Sequence, residues 1–190
     1  NQLYNVSKFN QAVVLTSVWE EIADNPFKSY TSAFSEGGHI CITLQILQLL
    51  YAATQLHNFK YVSFLEHDVL YPTGYFNYPD FEKGRVLTNM NYIQLCEKGW
   101  QKNNKSDQPL HEMTMHISDA IENFENNLKK GLRHEYFLLE NQNLKRETWA
   151  CENPAAHIFH GSHLTSHYDI YSKEYEISNY YWGHKDLYSD

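Results

Sequence analysis

The most informative part of the sequence reads YVSFLEHDVLYP, from Tyr61 to Pro72. The residues from Phe59 to Leu65 are mostly aromatic, aliphatic or β-branched. Such a short apolar run, bounded by polar residues, predicts a buried strand that is covered on both faces. The strand is expected to end at the acidic turn Glu66-His67-Asp68.

A helix is predicted directly before this strand. The run from Ile40 to His57 follows the turn Glu36-Gly37-Gly38. Its apolar positions repeat at helical spacing and include Leu44, Leu47 and Leu50. A helix followed by a buried strand is half of a βαβ unit, so we expect that strand to pair in parallel with an earlier strand at Ala12 to Leu15.

Further strands and a second helix are predicted downstream. The strand candidates are Arg85 to Leu87, Tyr92 to Leu95 and Ala155 to Phe159, and Gly99 to Pro109 is expected to be a polar loop. Asp119 and Glu122 have the spacing of a capping box that opens an amphipathic helix ending at Lys129-Lys130-Gly131. The length of 190 residues suits one domain. We therefore predict a single α/β domain over residues 1–190, with a mostly parallel sheet flanked by helices.

Composition limits the classes of function. The formal net charge of -8 disfavours nonspecific binding to polyanions, because phosphate contacts need clustered Lys and Arg. The three cysteines are odd in number and widely spaced, which fits neither a disulfide framework nor a CxxC zinc site. The longest apolar run, within Ile40 to Ala53, is interrupted by polar residues and predicts no membrane span. A cytoplasmic location is the simplest expectation.

The acidic turn is placed for chemistry. Ligands of open α/β sheets bind outside the carboxyl ends of the strands, and Glu66-His67-Asp68 follows the end of a strand. Two acidic groups one residue apart can face the same side, so that one holds a divalent cation while the other binds a hydroxyl. A cation there would stabilise a diphosphate as a leaving group.

Two segments resemble a known family. The first runs from Tyr61 through Glu66-His67-Asp68 to Val69-Leu70-Tyr71-Pro72, preceded by an aliphatic helix through Ala52-Ala53. The second is the segment HIFHGSHLT, His157 to Thr165. In this order they resemble family-2-like glycosyltransferases, whose DxD-type motif is written EHD and whose later segment reads HG-x-N-L-T, with His163 here at the usual Asn.

The resemblance implies a GT-A, Rossmann-like fold and a hexosyltransferase-like activity. It implies a nucleotide-sugar donor, most simply a UDP-sugar, and a Mn²⁺ or Mg²⁺ ion. Asp68 would be the principal metal ligand, Glu66 would lie near the metal or the donor ribose, and His160 would be a further ligand. His67 completes the donor-binding turn. Because only 65 residues precede Glu66, we expect a shortened N-terminal nucleotide-binding part.

Other candidate residues stay open at this stage. Gly38 lies at a predicted helix start, where backbone N-H groups can meet a phosphate. Glu152 and Glu112 are equal candidates for the base that deprotonates an acceptor hydroxyl. His157 and His160 would point to opposite faces of a strand, so they are not both expected to be ligands, and His160 is preferred because Gly161 follows it.

Three functions remain in competition. The leading one is sugar transfer to an acceptor hydroxyl, on a saccharide or on a modified nucleic-acid base such as a hydroxymethylated DNA base. A metal-dependent phosphoesterase would also use Asp and His clusters, and would hold a second metal ion. A non-catalytic sugar-nucleotide-binding domain would bind the donor without turnover.

Overall fold

The computed structural model shows a mixed α/β protein. It describes Ser7 and residues 12–18, 27–31, 38–56, 58–66, 69–96, 99–102, 109–135 and 144–158. The two helices are α1 (His39–Leu56) and α2 (Ile117–Leu132), and a short 3-10 helix spans Leu110–Glu112. The strands are β1 (Leu15–Val18), β2 (Lys28–Thr31), β3 (Tyr61–Ser63), β4 (Val69–Leu70), β5 (Arg85–Asn89), β6 (Tyr92–Cys96), β7 (Gly99–Lys102), β8 (Met113–His116), β9 (Lys145–Trp149) and β10 (Ala155–Ile158).

The first sheet has the strand order β3-β8-β5-β9 and packs against both helices. Its core joins Leu47 and Leu50 of α1 to Val86, Met113 and Phe124. Helix α2 presents an apolar stripe to this core and places Lys129 and Lys130 in its last turn, where cations are favourable. The predicted positions of both helices are therefore confirmed, and so is the packing of Leu47 and Leu50. Leu44 is only partly buried.

The second sheet has the order β4-β10-β6-β7. Strand β10 lies between β4, which it pairs with antiparallel, and β6, which it pairs with in parallel. The smaller core beside this sheet contains Tyr71, Tyr75 and Tyr92, each at most 1% exposed. The predicted strands at Tyr92 and Ala155 are therefore confirmed.

The predicted parallel pairing after α1 was wrong. Strand β3 pairs antiparallel with β8, while β1 pairs in parallel with β2. The main-chain N-H of Ile117 donates to the carbonyl of Lys60, so the chain turns from β8 into α2 next to the start of β3. Of the seven strand pairings between described residues, three are parallel, so the described sheets are mixed and not mostly parallel.

Two local predictions also differ from the structure. Residues 99–102 form strand β7 beside β6, within the segment that was predicted to be a loop. Asp119 does not cap α2, because the helix begins two residues earlier and the N-cap His116 makes no side-chain cap hydrogen bond. The carboxylate of Asp119 instead accepts a hydrogen bond from the main-chain N-H of Gly84 at 2.7 Å.

By length and composition alone, α1 is long and apolar enough to cross a bilayer. In this structure its buried residues pack into the first core and against α2. Among the cysteines whose side chains are described, Cys41 and Cys151 are free thiols.

Candidate metal centre

A buried carboxylate forms the base of the site. Glu112 ends the 3-10 helix before β8, and its side chain is 0% exposed. Its Oε2 accepts a hydrogen bond from Asn89 Nδ2 at 2.8 Å and lies 3.1 Å from the hydroxyl of Tyr75. Burial, with the adjacent Glu112, raises the pKa of Tyr75 well above its ordinary value, so the phenol keeps its proton and can donate it.

His157 connects this carboxylate to the second sheet. It lies on β10, and its Nε2 is 2.7 Å from Glu112 Oε1. The ring of Tyr92 stacks on the imidazole with 4.3 Å between ring centroids and 8° between the planes, which fixes its orientation. Burial lowers the pKa of His157 despite the opposing effect of Glu112, so a neutral imidazole is favoured at neutral pH.

His111 and Glu66 extend the cluster towards the surface. Nε2 of His111 is 3.2 Å from Nδ1 of His157, and Nδ1 of His111 is 3.0 Å from Oε2 of Glu66. The side chain of His111 is 14% exposed and that of Glu66 is 52% exposed. The main-chain N-H of Glu66 donates to the buried hydroxyl of Tyr71 at 2.9 Å, which holds the end of the strand segment in place.

Three of these residues have the chemistry of a metal site. One potential ligand atom each from His111, Glu112 and His157 lies within 4.8 Å of the others. Imidazole nitrogen and carboxylate oxygen are common ligands of divalent transition metals. The cluster also joins the two sheets, because Glu112 directly precedes β8 of the first sheet and His157 is on β10 of the second.

The described parts of the two segments singled out in the sequence meet at this cluster, and in the later segment these are His157 and Ile158. Strand β4, which follows the acidic turn, pairs with β10 so that Val69 lies opposite His157. Glu66, on the other side of the turn, reaches His157 through His111. His67 and Asp68 of the acidic turn lie outside the described residues, and so do residues 159–165 of the later segment, which include His160.

The remaining predicted residues occupy other positions. Gly38 precedes α1 and has a φ of 115°. Its carbonyl accepts a hydrogen bond from the main-chain N-H of Ile42, which belongs to the first turn of the helix. Glu152 is exposed and lines a cleft of about 480 Å³. The cleft is lined by Gly74, Asn77, Pro79, Trp149, Ala150 and Glu152.

One buried amide joins this cleft to the cluster. The side chain of Asn89 donates to Glu112 at 2.8 Å and accepts the main-chain N-H of Cys151 at 3.1 Å. Cys151 is the residue before Glu152, and Asn91 Nδ2 donates to its carbonyl at 2.6 Å. The segment that carries Glu152 is thus held by hydrogen bonds to Asn89 at the end of β5 and to Asn91 directly before β6.

Three residues of the cluster's hydrogen-bond network were not predicted to be site residues: Tyr75, Asn89 and His111. For His111, the doublet His111-Glu112 was a usable local signal. The preference for His160 over His157 stays a prediction, because His160 lies outside the described residues.

Comparison of this chain with protein-family models, with curated proteins and with solved structures found no match in any of the three.

Proposed function

We propose that this chain is a metal-dependent glycosyltransferase of the GT-A type, which moves a sugar from a nucleoside-diphosphate donor to an acceptor hydroxyl. One observation carries the proposal. The described ends of the two segments that resemble family-2-like glycosyltransferases are neighbours in space, because β4 pairs with β10 and Glu66 is linked through His111 to His157. Such convergence is expected of a site assembled from distant parts of the chain and has no reason to follow from a chance match.

The exposed end of the cluster suits a diphosphate. Glu66 is half exposed and lies at the end of the strand segment, beside the partly exposed His111. A divalent ion bound here would neutralise the leaving diphosphate. Asp68 and His160 stay predicted ligands of that ion, and Glu66 stays predicted to lie near the ion or the donor ribose.

Between the two glutamates left open as the base, the burial of their side chains favours Glu152. Glu112 is fully buried and both of its oxygens have hydrogen-bond partners, so an acceptor hydroxyl has no route to it. Glu152 is exposed beside the indole of Trp149 in the cleft. Aromatic faces bind sugars well, and a carboxylate beside one can accept a hydroxyl proton. We therefore assign the acceptor to this cleft and the role of base to Glu152.

A thermal-shift screen of UDP-, GDP- and CMP-sugars, each with and without Mn²⁺, tests donor binding. A ligand at about 100 times its Kd stabilises the native state by about 2.7 kcal/mol. For a domain of this size that corresponds to a rise in Tm of about 5 to 10 °C. The rise should need both donor and metal, measured against Mn²⁺ alone.

Two Asp→Asn variants test whether the metal-dependent rise in Tm depends on Asp68. Asp68→Asn should abolish the metal-dependent rise, whereas Asp80→Asn, at an exposed acid paired with Lys60, should keep it. A folded Asp68→Asn protein with unchanged metal-dependent donor binding would overturn the assignment.

Turnover assays separate the competing functions. A glycosyltransferase releases nucleoside diphosphate faster when an acceptor is added, and Glu152→Gln should slow that release while donor affinity is kept. Glu135→Gln, at another exposed glutamate, is the control. Hydrolysis of phosphoesters without an acceptor would favour a phosphoesterase, and donor binding without turnover would favour a binding domain.

A further inference from the structure

We propose that His111 and His157 form a two-nitrogen site for a transition-metal ion, bound by Nε2 of His111 and Nδ1 of His157. Glu66 and Glu112 act as positioning residues behind the two imidazoles. Binding of the ion rests on the contacts of these four side chains. Its participation in sugar transfer rests on the proposed function, and the experiments below separate the two.

The tautomer of His157 follows from its partner. Glu112 Oε2 receives Asn89 Nδ2-H and faces the hydroxyl of Tyr75, so this carboxyl group acts as a hydrogen-bond acceptor. With Glu112 ionised, Nε2 of His157, 2.7 Å from Oε1, donates its proton to that oxygen. A neutral imidazole carries one N-H, so Nδ1 of His157 presents a lone pair.

The same reasoning applies to His111. Glu66 Oε2 lies 3.0 Å from Nδ1 of His111, and a carboxylate oxygen can only accept, so the N-H of His111 is on Nδ1. Nε2, the other ring nitrogen of His111, lies 3.2 Å from Nδ1 of His157, and in the metal-free protein a hydrogen bond joins them. When neither of these nitrogens carries a proton, both lone pairs are available to one ion.

A metal ion fits that position. Two nitrogens bound at about 2.0 to 2.1 Å to a tetrahedral ion lie about 3.3 Å apart, close to the distance found between the two rings. The imidazole planes are inclined by 75°, so the two rings approach from different directions. A carboxylate behind each metal-binding imidazole is the usual arrangement that fixes the ring and raises its basicity.

The ligand types predict which ion is bound. Imidazole nitrogen suits Zn²⁺, Ni²⁺ and Cu²⁺, whereas Mn²⁺ and Mg²⁺ favour oxygen ligands and Mg²⁺ also keeps its waters. This site should therefore bind the transition metals in preference to Mg²⁺. Because His111 is partly exposed, a phosphate oxygen or a water molecule can occupy the remaining coordination positions of the ion.

Metal titration of the chelator-stripped full chain tests the site. Isothermal titration with Zn²⁺ and with Mg²⁺ should give one Zn²⁺ site per chain and much weaker Mg²⁺ binding. Glu112→Gln should weaken Zn²⁺ binding by about 10- to 100-fold, as the loss of a group that positions a ligand does. His111→Gln should weaken it at least as much. His134→Asn, at an exposed histidine whose positive φ of 58° asparagine tolerates, should bind like the wild type.

A gain-of-signal variant covers the case in which a loss reflects poor folding. His111→Cys places a thiolate at the same position, so Co²⁺ should produce a thiolate-to-cobalt charge-transfer band that the wild-type and His134→Asn proteins lack. The proposal is overturned if the wild type binds no transition metal and only a proton lies between the two imidazoles. It is also overturned if folded His111→Gln keeps the wild-type affinity for Zn²⁺ and His111→Cys shows no charge-transfer band. Zn²⁺ binding without sugar transfer would instead reject only the proposed function.

Discussion

Truncation of Leu47 to Ala tests the core that supports the site. Leu47 is 5% exposed and packs from α1 into the core with Val86 and Met113 of the first sheet. The change removes three carbon atoms, which at about 0.8 kcal/mol each amounts to about 2.4 kcal/mol of lost burial. The cavity left between helix and sheet adds to this, and we expect a total of about 3 kcal/mol, within the range of about 2 to 5 kcal/mol for such changes.

The assay is equilibrium unfolding in urea, with heating as a second measurement. The midpoint should fall without a change in m, and Tm should fall by about 6 to 12 °C. Leu132→Ala removes the same atoms from a residue that is 67% exposed, so it should change the free energy of unfolding by less than about 0.5 kcal/mol. A Leu47→Ala loss no larger than that of Leu132→Ala would refute the packing of α1 on the first sheet.

Three further predictions concern the site and its supports. Because the pKa of His157 is lowered on folding from its ordinary value of 6.5, the unfolded chain binds the proton more readily, so metal-free protein should lose stability as the pH falls through about 6.5. Urea unfolding midpoints measured at pH values on both sides of about 6.5 test this, and His157→Gln should make stability depend less on pH. Greater stability of the wild type in acid would contradict the prediction. Gly84 has a φ of 78° with open space around it, so Gly84→Ala should cost about 1 to 2 kcal/mol from backbone strain and Gly84→Asn less. Equal Tm values for the two variants would exclude backbone strain as the cause. Tyr75→Phe removes a hydroxyl beside buried Glu112 and should lower the free energy of unfolding in urea by about 1 to 3 kcal/mol. Tyr51→Phe removes a hydroxyl from an exposed residue and should cost little, so similar losses for the two variants would argue against a special role for Tyr75.

The sequence predicted helices better than pairings. The run from Ile40 to His57 has enough apolar positions at helical spacing to indicate α1 within one residue at each end. The partner of β3 could not be read in this way, because Tyr61 to Ser63 carries no local signal that selects β8 over an earlier strand. Asp119 was assigned to a cap for a similar reason, since its spacing from Glu122 fits a capping box while its actual partner is Gly84.

The residues of the candidate site show the same difference between local and remote sequence signals. Glu66 was predicted as a site residue because it follows a short apolar run, which is a local feature, and its contact to His111 places it in the cluster. The prediction that this run forms a strand covered on both faces was wrong, because β3 is half-buried and lies at the edge of its sheet. The preference for His160 over His157 rested on the neighbouring Gly161 and stays a prediction. The buried environment of His157 could not be predicted, because it is built by Tyr92 and Glu112, which are remote in the sequence.

The position of β10 between β4 and β6 has a consequence for the order of folding. Val69 and Gln94 both lie opposite His157, so a slip of one residue in either pairing would turn the imidazole to the other face of the sheet. These pairings join segments far apart along the chain, and such contacts form slowly compared with helices. In refolding from denaturant, the capacity to bind zinc should therefore emerge after the helical signal has recovered, which makes the ion a kinetic reporter of correct strand register.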